Sequence, residues 1–292
     1  MLEHYSPPHQ GMGLHLQADS AGTAGLRVLA MVHSADSAAA ELAVLWPLCA
    51  QLQRLGQTVL VLDGSQSESF QTPGMAQLLE RSAWHAQMGL RSMAEAAETR
   101  SIATLPARQG LARLRATAQE LGMEPLVALQ RYVRGYTTVL IYADAKALTP
   151  LLQGQNLQPL LVVPPDAEQL VDSYRQLKTL AVYAGVECTL AALEAPAAAD
   201  GPARYDWSRK QSSVLTDAQK SQIRLQRLNA LLQCSQRHLG DAPVLMRLRW
   251  RQTRDLHQLT LHMLKTACIL PLHEHSVPRL GTGACAPLAW SH

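Results

Sequence analysis

Two uninterrupted apolar runs constrain this chain more than any other feature. Leu26-Arg-Val-Leu-Ala-Met-Val32 and Thr58-Val-Leu-Val-Leu-Asp63 show no alternation with polar residues. Each therefore reads as a strand covered on both faces. Between them Leu42, Leu45, Trp46, Leu48, Cys49 and Leu52 recur at helical spacing as far as Gly56, a natural helix stop. Pro47 lies inside that pattern and predicts a bend in the helix as it packs on the sheet. Strand, helix and strand in this order make a βαβ unit, whose crossover is right-handed.

The same reading extends along the chain. Thr138–Tyr142, ending at Ala143-Asp144, and Pro159–Val163, ending at Pro164-Pro165, read as further buried strands. Ser101–Leu105, Val186–Leu190 and Val244–Trp250 are weaker ones. The stretch from Asp63 to Thr138 is otherwise mostly helical, and Asp166–Ala184 is a helix. Thr216–Leu239 is a long amphipathic helix with Thr216 as its cap and Gly240 as its stop, and Asp255–Cys268 is a last helix. Strands alternating with helices predict an α/β fold, a doubly wound, mainly parallel sheet with helices on both faces. Val28–Val32, Val59–Leu62, Val139–Ile141 and Leu160–Val163 belong at its centre. The expected organisation is a flexible tail over residues 1–24 and an α/β core over 25–194. A basic, mainly helical part over 195–270 packs on the same domain, and an irregular tail covers 271–292.

Of the 292 residues, 47% are hydrophobic and 17% charged, enough apolar surface for a real core and too little charge for a disordered polyelectrolyte. No apolar run approaches 18 residues, and the first residues show neither a basic nor an apolar signal segment, so a cytoplasmic location is expected. Cys49, Cys188, Cys234, Cys268 and Cys285 include no C-x-x-C pair and read as reduced thiols, with Cys49 and Cys234 in the core. His273-Glu-His275 has no third ligand in register, so no metal site is expected.

Charge is uneven. The formal charge is +3, yet Arg204–Arg254 holds 11 Lys and Arg against three Asp, a net +8 that leaves −5 elsewhere. Such a segment suits an anionic partner, whether nucleic acid, anionic lipid or an acidic protein face, and a solvated Arg-rich helix face is the plainer alternative. Arg224, Arg227, Arg247 and Arg249 are the candidate contacts. Only Tyr205, Trp207 and Trp250 lie nearby, which argues against a single-strand stacking platform.

In doubly wound folds ligands lie beyond the carboxyl ends of the strands. A phosphate-binding loop after the first strand needs Gly, so that the backbone can wrap the anion, and Lys to neutralise it. The loop here, from His33 to Ala43, contains neither and carries Asp36 and Glu41 instead. Acids in a first helical turn also suit the helix dipole, so capping is a second reading of both. Asp63 and Asp144 end neighbouring strands, where a metal site or an acid/base pair is the sharper reading and vestigial carboxylates the plainer one. No G-x-S-x-G elbow supports a Ser/His/Asp triad.

Four stretches resemble the MinD/ParA ATPases, and most of all the FlhG branch that regulates flagellar number and position. Leu55-Gly-Gln-Thr-Val-Leu-Val-Leu-Asp63 resembles that family's R-G-x-x-V-L-L-L-D, and Pro73-Gly-Met-Ala-Gln-Leu-Leu79 its P-G-x-x-D-x-L. Tyr136-Thr-Thr-Val-Leu-Ile-Tyr-Ala-Asp144 resembles Y-D-x-I-L-I-D-T-P, with Tyr142 where the family has Asp. Leu160–Lys178 resembles V-V-T-T-P-E-P-x-S-L-x-D-A-Y-x-x-I-K, and the likeness as a whole spans Arg27–Leu193. Counting back from Asp63 puts Asp36 at the family's signature Lys, Glu41 at its P-loop Lys and Leu42 at its magnesium-binding hydroxyl. The resemblance thus implies a vestigial pocket of Asp36, Glu41, Leu42, Asp63, Tyr142 and Asp144, with no catalytic residue, no nucleotide bound and no cofactor. The expectation is a non-enzyme, a pseudo-ATPase that acts by protein–protein contact in flagellar placement or number, or in a related envelope machine. It implies as partner a FlhF-like GTPase or another flagellar or envelope component, and it admits a homodimer and a place at the inner face of the membrane. No terminal membrane-targeting helix shows. Two alternatives stand beside it: a working MinD-type ATPase whose divergent loop borrows lysines from a partner subunit, and a nucleic-acid-binding regulator using residues 204–254.

Overall fold

The computed structural model describes residues 25–80, 102–164, 169–194, 217–240, 242–249 and 252–271. Its elements follow the order β1 (Leu26–Val32), α1 (Ala38–Arg54), β2 (Val59–Asp63), α2 (Met75–Glu80), β3 (Ala103–Pro106), α3 (Arg108–Glu120) and α4 (Pro125–Gln130). Then come β4 (Thr138–Ala143), α5 (Ala145–Leu152), β5 (Leu160–Val163), α6 (Gln169–Ala184), β6 (Thr189–Glu194) and α7 (Asp217–Leu239). β7 (Val244–Arg249), α8 (Thr253–Lys265) and β8 (Cys268–Leu270) complete the described elements. Seven strands pair in parallel in the order β3-β2-β4-β1-β5-β6-β7. The four strands expected at the centre are β2, β4, β1 and β5, and they stand there side by side. The first crossover skips one position, because β4 lies between β1 and β2.

Parity along the strands sorts the core into two layers. Val28, Ala30 and Val32 of β1 join Leu60 and Leu62 of β2 and Val139 and Ile141 of β4 on one face. That face packs Met75 of α2, Leu111 of α3, Leu126 of α4, Leu148 of α5, Leu177 of α6 and Leu228 of α7. The alternate residues Leu29, Met31, Val59, Val61, Leu140 and Tyr142 meet Val44, Leu45 and Leu48 of α1 and Leu259 and Met263 of α8. Helices therefore cover both faces, which is why the strands read as unbroken apolar runs.

Several local expectations are displaced. The weak strand expected at Val186–Leu190 begins at Thr189, whose N–H reaches the Pro159 carbonyl at 2.9 Å. Val186 and Cys188 are buried before the pairing starts. The last helix ends at Lys265 and Cys268 opens β8, the one antiparallel strand among the described residues, opposite Leu26–Val28. β1 pairs with β5 only at Met31, so its amino-terminal half has open hydrogen-bonding groups there, and β8 pairs with it instead. α1 runs unbroken through Pro47 and leaves Trp46 exposed. Gly240 ends α7 with a φ of 92°, as its sequence position predicts. Cys49 is in the core, with its thiol pushed by burial up to about 12, while Cys234 is only half-buried. The terminal tails, residues 195–201, the Thr216 cap and His273–His275 lie outside the described residues.

Where α2 crosses α3, Gly110 allows the backbones to approach. A Cβ there would lie 2.4 Å from Met75 Cβ and 2.8 Å from the Ala76 nitrogen. Gly110→Ala should destabilise the protein by about 1–3 kcal/mol, measured by urea unfolding.

Candidate functional site

Strand parity brings the polar site together. Leu29 and Met31 face α1, so His33, two residues further along the chain, follows on the same side, as does Tyr142 at the end of β4. α1 starts at Ala38 and sets Glu41 in its first turn, directly beneath them. The Glu41 side chain is fully buried. Its Oε1 accepts the Ser34 N–H at 2.9 Å and also the Ser37 hydroxyl. Its Oε2 accepts the Tyr142 hydroxyl at 2.7 Å and lies 3.0 Å from His33 Nδ1. Nδ1 is also 2.8 Å from the Tyr142 oxygen. Because the Tyr142 proton goes to Glu41, both contacts of Nδ1 require it to carry its own hydrogen. Burial, then the hydrogen bond to Glu41, then the charges of Glu41 and Asp63, push the Tyr142 phenol up. The Ser34 hydroxyl donates to Asp172 Oδ2 of α6 at 2.8 Å, tying the loop to a second helix.

The other sequence-selected residues divide by exposure. Asp63 is buried opposite Tyr142 and accepts the Ser65 N–H at 2.9 Å and hydroxyl at 2.6 Å. Asp144 is exposed and caps α5, accepting the Ala147 N–H at 2.7 Å. Asp36 is exposed in the turn before α1, and Leu42 is exposed on that helix. The structure thus gathers Glu41, Tyr142 and Asp63, and leaves Asp36, Leu42 and Asp144 at the margin. His33, Ser34, Ser37 and Asp172 complete the cluster without having been selected from sequence. Glu68 was also missed: it is buried and accepts the N–H groups of Gly110 at 2.7 Å and Gln109 at 2.8 Å, at the start of α3.

A phosphate in this loop would need the donors that Glu41 now holds, and a cation beside them. The loop contains no Lys or Arg, and in this arrangement its Ser34 amide and Ser37 hydroxyl are taken by the chain's own Glu41 carboxylate. Among the described residues no group of three or more His, Cys, Asp and Glu could hold a metal ion.

The basic residues separate as well. Arg249 is engaged: its guanidinium holds Asp255 through Nε at 2.9 Å and Nη2 at 3.0 Å, which keeps the Asp255 carboxyl below its ordinary value. Arg224, Arg227 and Arg247 instead line a cavity beside the carboxyl ends of β5 and β6.

No protein-family model matches the chain, and no curated protein does. It is similar to the solved structure of the MinD cell division protein of Aquifex aeolicus, with a TM-score of 0.40 and 12% identity over 80% of this chain and 86% of that one. The MinC:MinD complex from the same organism gives 0.40 and 12% over 80% and 85%. A ParA family ATPase of Chlorobium tepidum gives 0.39 and 13% over 84% and 91%. One expectation is corrected at this point. A non-enzyme was expected, and that expectation is withdrawn: one of the similar structures is described as a ParA family ATPase. No helix among the described residues is long and apolar enough to cross a membrane.

The buried cluster predicts a graded response to mutation. Glu41→Leu strands the Ser34 amide and two hydroxyls and should cost about 3 kcal/mol, and Tyr142→Phe about 1–2 kcal/mol. Leu42→Ser, the exposed neighbour, should stay within about 0.5 kcal/mol. Urea unfolding of the three variants checks this order.

Proposed function

We propose that this chain is a MinD/FlhG-like regulator that works in the cytoplasm through protein–protein contact, in the placement or number of flagella or in a related envelope machine. The observation that carries the reading is positional. The stretches resembling that family fall on β2, α2, β4, β5 and α6, and two of them reach the β1–α1 loop, through Tyr142 of β4 and Asp172 of α6. The loop is braced by Glu41, Tyr142 and Asp172 from three different elements, so it presents a fixed surface at the carboxyl ends of the strands. A braced surface suits recognition of a folded partner, because little ordering entropy is lost on docking. A FlhF-like GTPase or another flagellar or envelope component is the partner this reading names.

The test is genetic and biochemical. Deleting the gene in its own host should change the number or position of flagella, and cross-linking in those cells should recover the named class of partner. The Asp36→Arg variant, altered on the exposed turn of the loop, should fold and lose that cross-link. Unchanged flagella together with no recovered partner would refute the reading.

A further inference from the structure

We propose that the cavity between α6 and α7 binds a small organic acid, with one anionic headgroup held by arginines and an apolar body in the cavity floor. The cavity measures about 250 Å³. Val163 and Pro164 at the end of β5, Ala192 in β6, Leu170 of α6 and Leu228 of α7 supply its apolar wall. Arg224 and Arg227, one helical turn apart on α7, and Arg247 from β7 supply its charge. Arg247 stands opposite Ala192 in register, and Ala192 belongs to the core layer that packs α6 and α7.

Charge and size select the ligand. Among the described residues that line it, Glu194 is the single acid against three arginines, a net +2. Glu194 pairs in register with Arg249, and its charge acts on that residue. None of the three lining guanidinium groups forms an ion pair with a described carboxylate. Arginine donors meeting at a concave apolar surface favour a carboxylate or another compact anion over a bare apolar guest. A hollow of about 250 Å³ suits a small ligand such as a short acyl chain with its carboxylate. A nucleic acid or a membrane would need a basic stripe spread over an open surface, whereas these three residues line one hollow. The site is distinct from the Glu41 cluster, so it stands or falls apart from the regulatory reading.

Hexanoate titrated into the full chain, followed by calorimetry and by NMR of the arginine side chains, tests the inference. Hexanoate should bind and shift the Arg224, Arg227 and Arg247 signals, and each methylene removed should weaken binding about fourfold. Hexanol and inorganic phosphate, each holding half of the chemistry, should bind at least tenfold more weakly. Arg224→Ala and Arg247→Ala, changed at side chains that reach solvent, should keep the native circular dichroism and each weaken hexanoate at least tenfold. Arg237→Ala, on the same helix but outside the lining, should bind as the unaltered chain does. Equal binding of hexanol or phosphate, unchanged binding by both cavity variants, or binding of an acidic peptide in the absence of any hexanoate binding would overturn the proposal.

Discussion

The Glu41 carboxylate is the interaction on which the carboxyl-end surface of this sheet depends. A buried carboxyl group is tolerated only when its oxygens are hydrogen-bonded, and Glu41 collects a backbone amide, two hydroxyls and an imidazole. Those donors belong to the loop after β1 and to the end of β4, so one side chain fixes the first helix against two central strands. Through Ser34 and Asp172 the same loop is also joined to α6. Elsewhere along this edge the chain uses acids in the same way. Asp144 caps α5, and Glu68 takes the first amides of α3.

The fold could be read from sequence because burial on both faces leaves a plain signature. β1, β2, β4 and β5 are short apolar runs without polar alternation. What could not be read follows from pairing geometry. β8 exists because β1 is left half open by a β5 that pairs with it at Met31 alone, a fact about register and not about composition. The start of β6 was displaced because Val186 and Cys188 are as apolar as strand residues and are buried without pairing.

The site was half visible. Asp63 was selected as a strand end, Glu41 as an acid of the first loop, and Tyr142 from its place in the family resemblance. Their contacts were not readable, since Glu41 and Tyr142 are 101 positions apart and Ser34 and Asp172 are 138 apart. Leu42 and Asp36 were selected by alignment of position, and a helix turning about 100° per residue takes Leu42 away from the face that Glu41 occupies. The missed His33 does carry a signal: it continues the parity of Leu29 and Met31, but parity means nothing until the face holding α1 is known. The basic segment resolves in the same manner. Arg249 is engaged by Asp255 six residues later, which leaves three arginines at the cavity.

The most direct test of this account is hydrogen exchange at the Ser34 amide. That N–H bonds to the Glu41 side chain and to no secondary-structure partner, so its protection reports the carboxylate alone. The account predicts that Ser34 exchanges as slowly as the strand amides of β1 and opens only with global unfolding. Exchange of Ser34 at the rate of an exposed loop amide, while β1 stays protected, would contradict it.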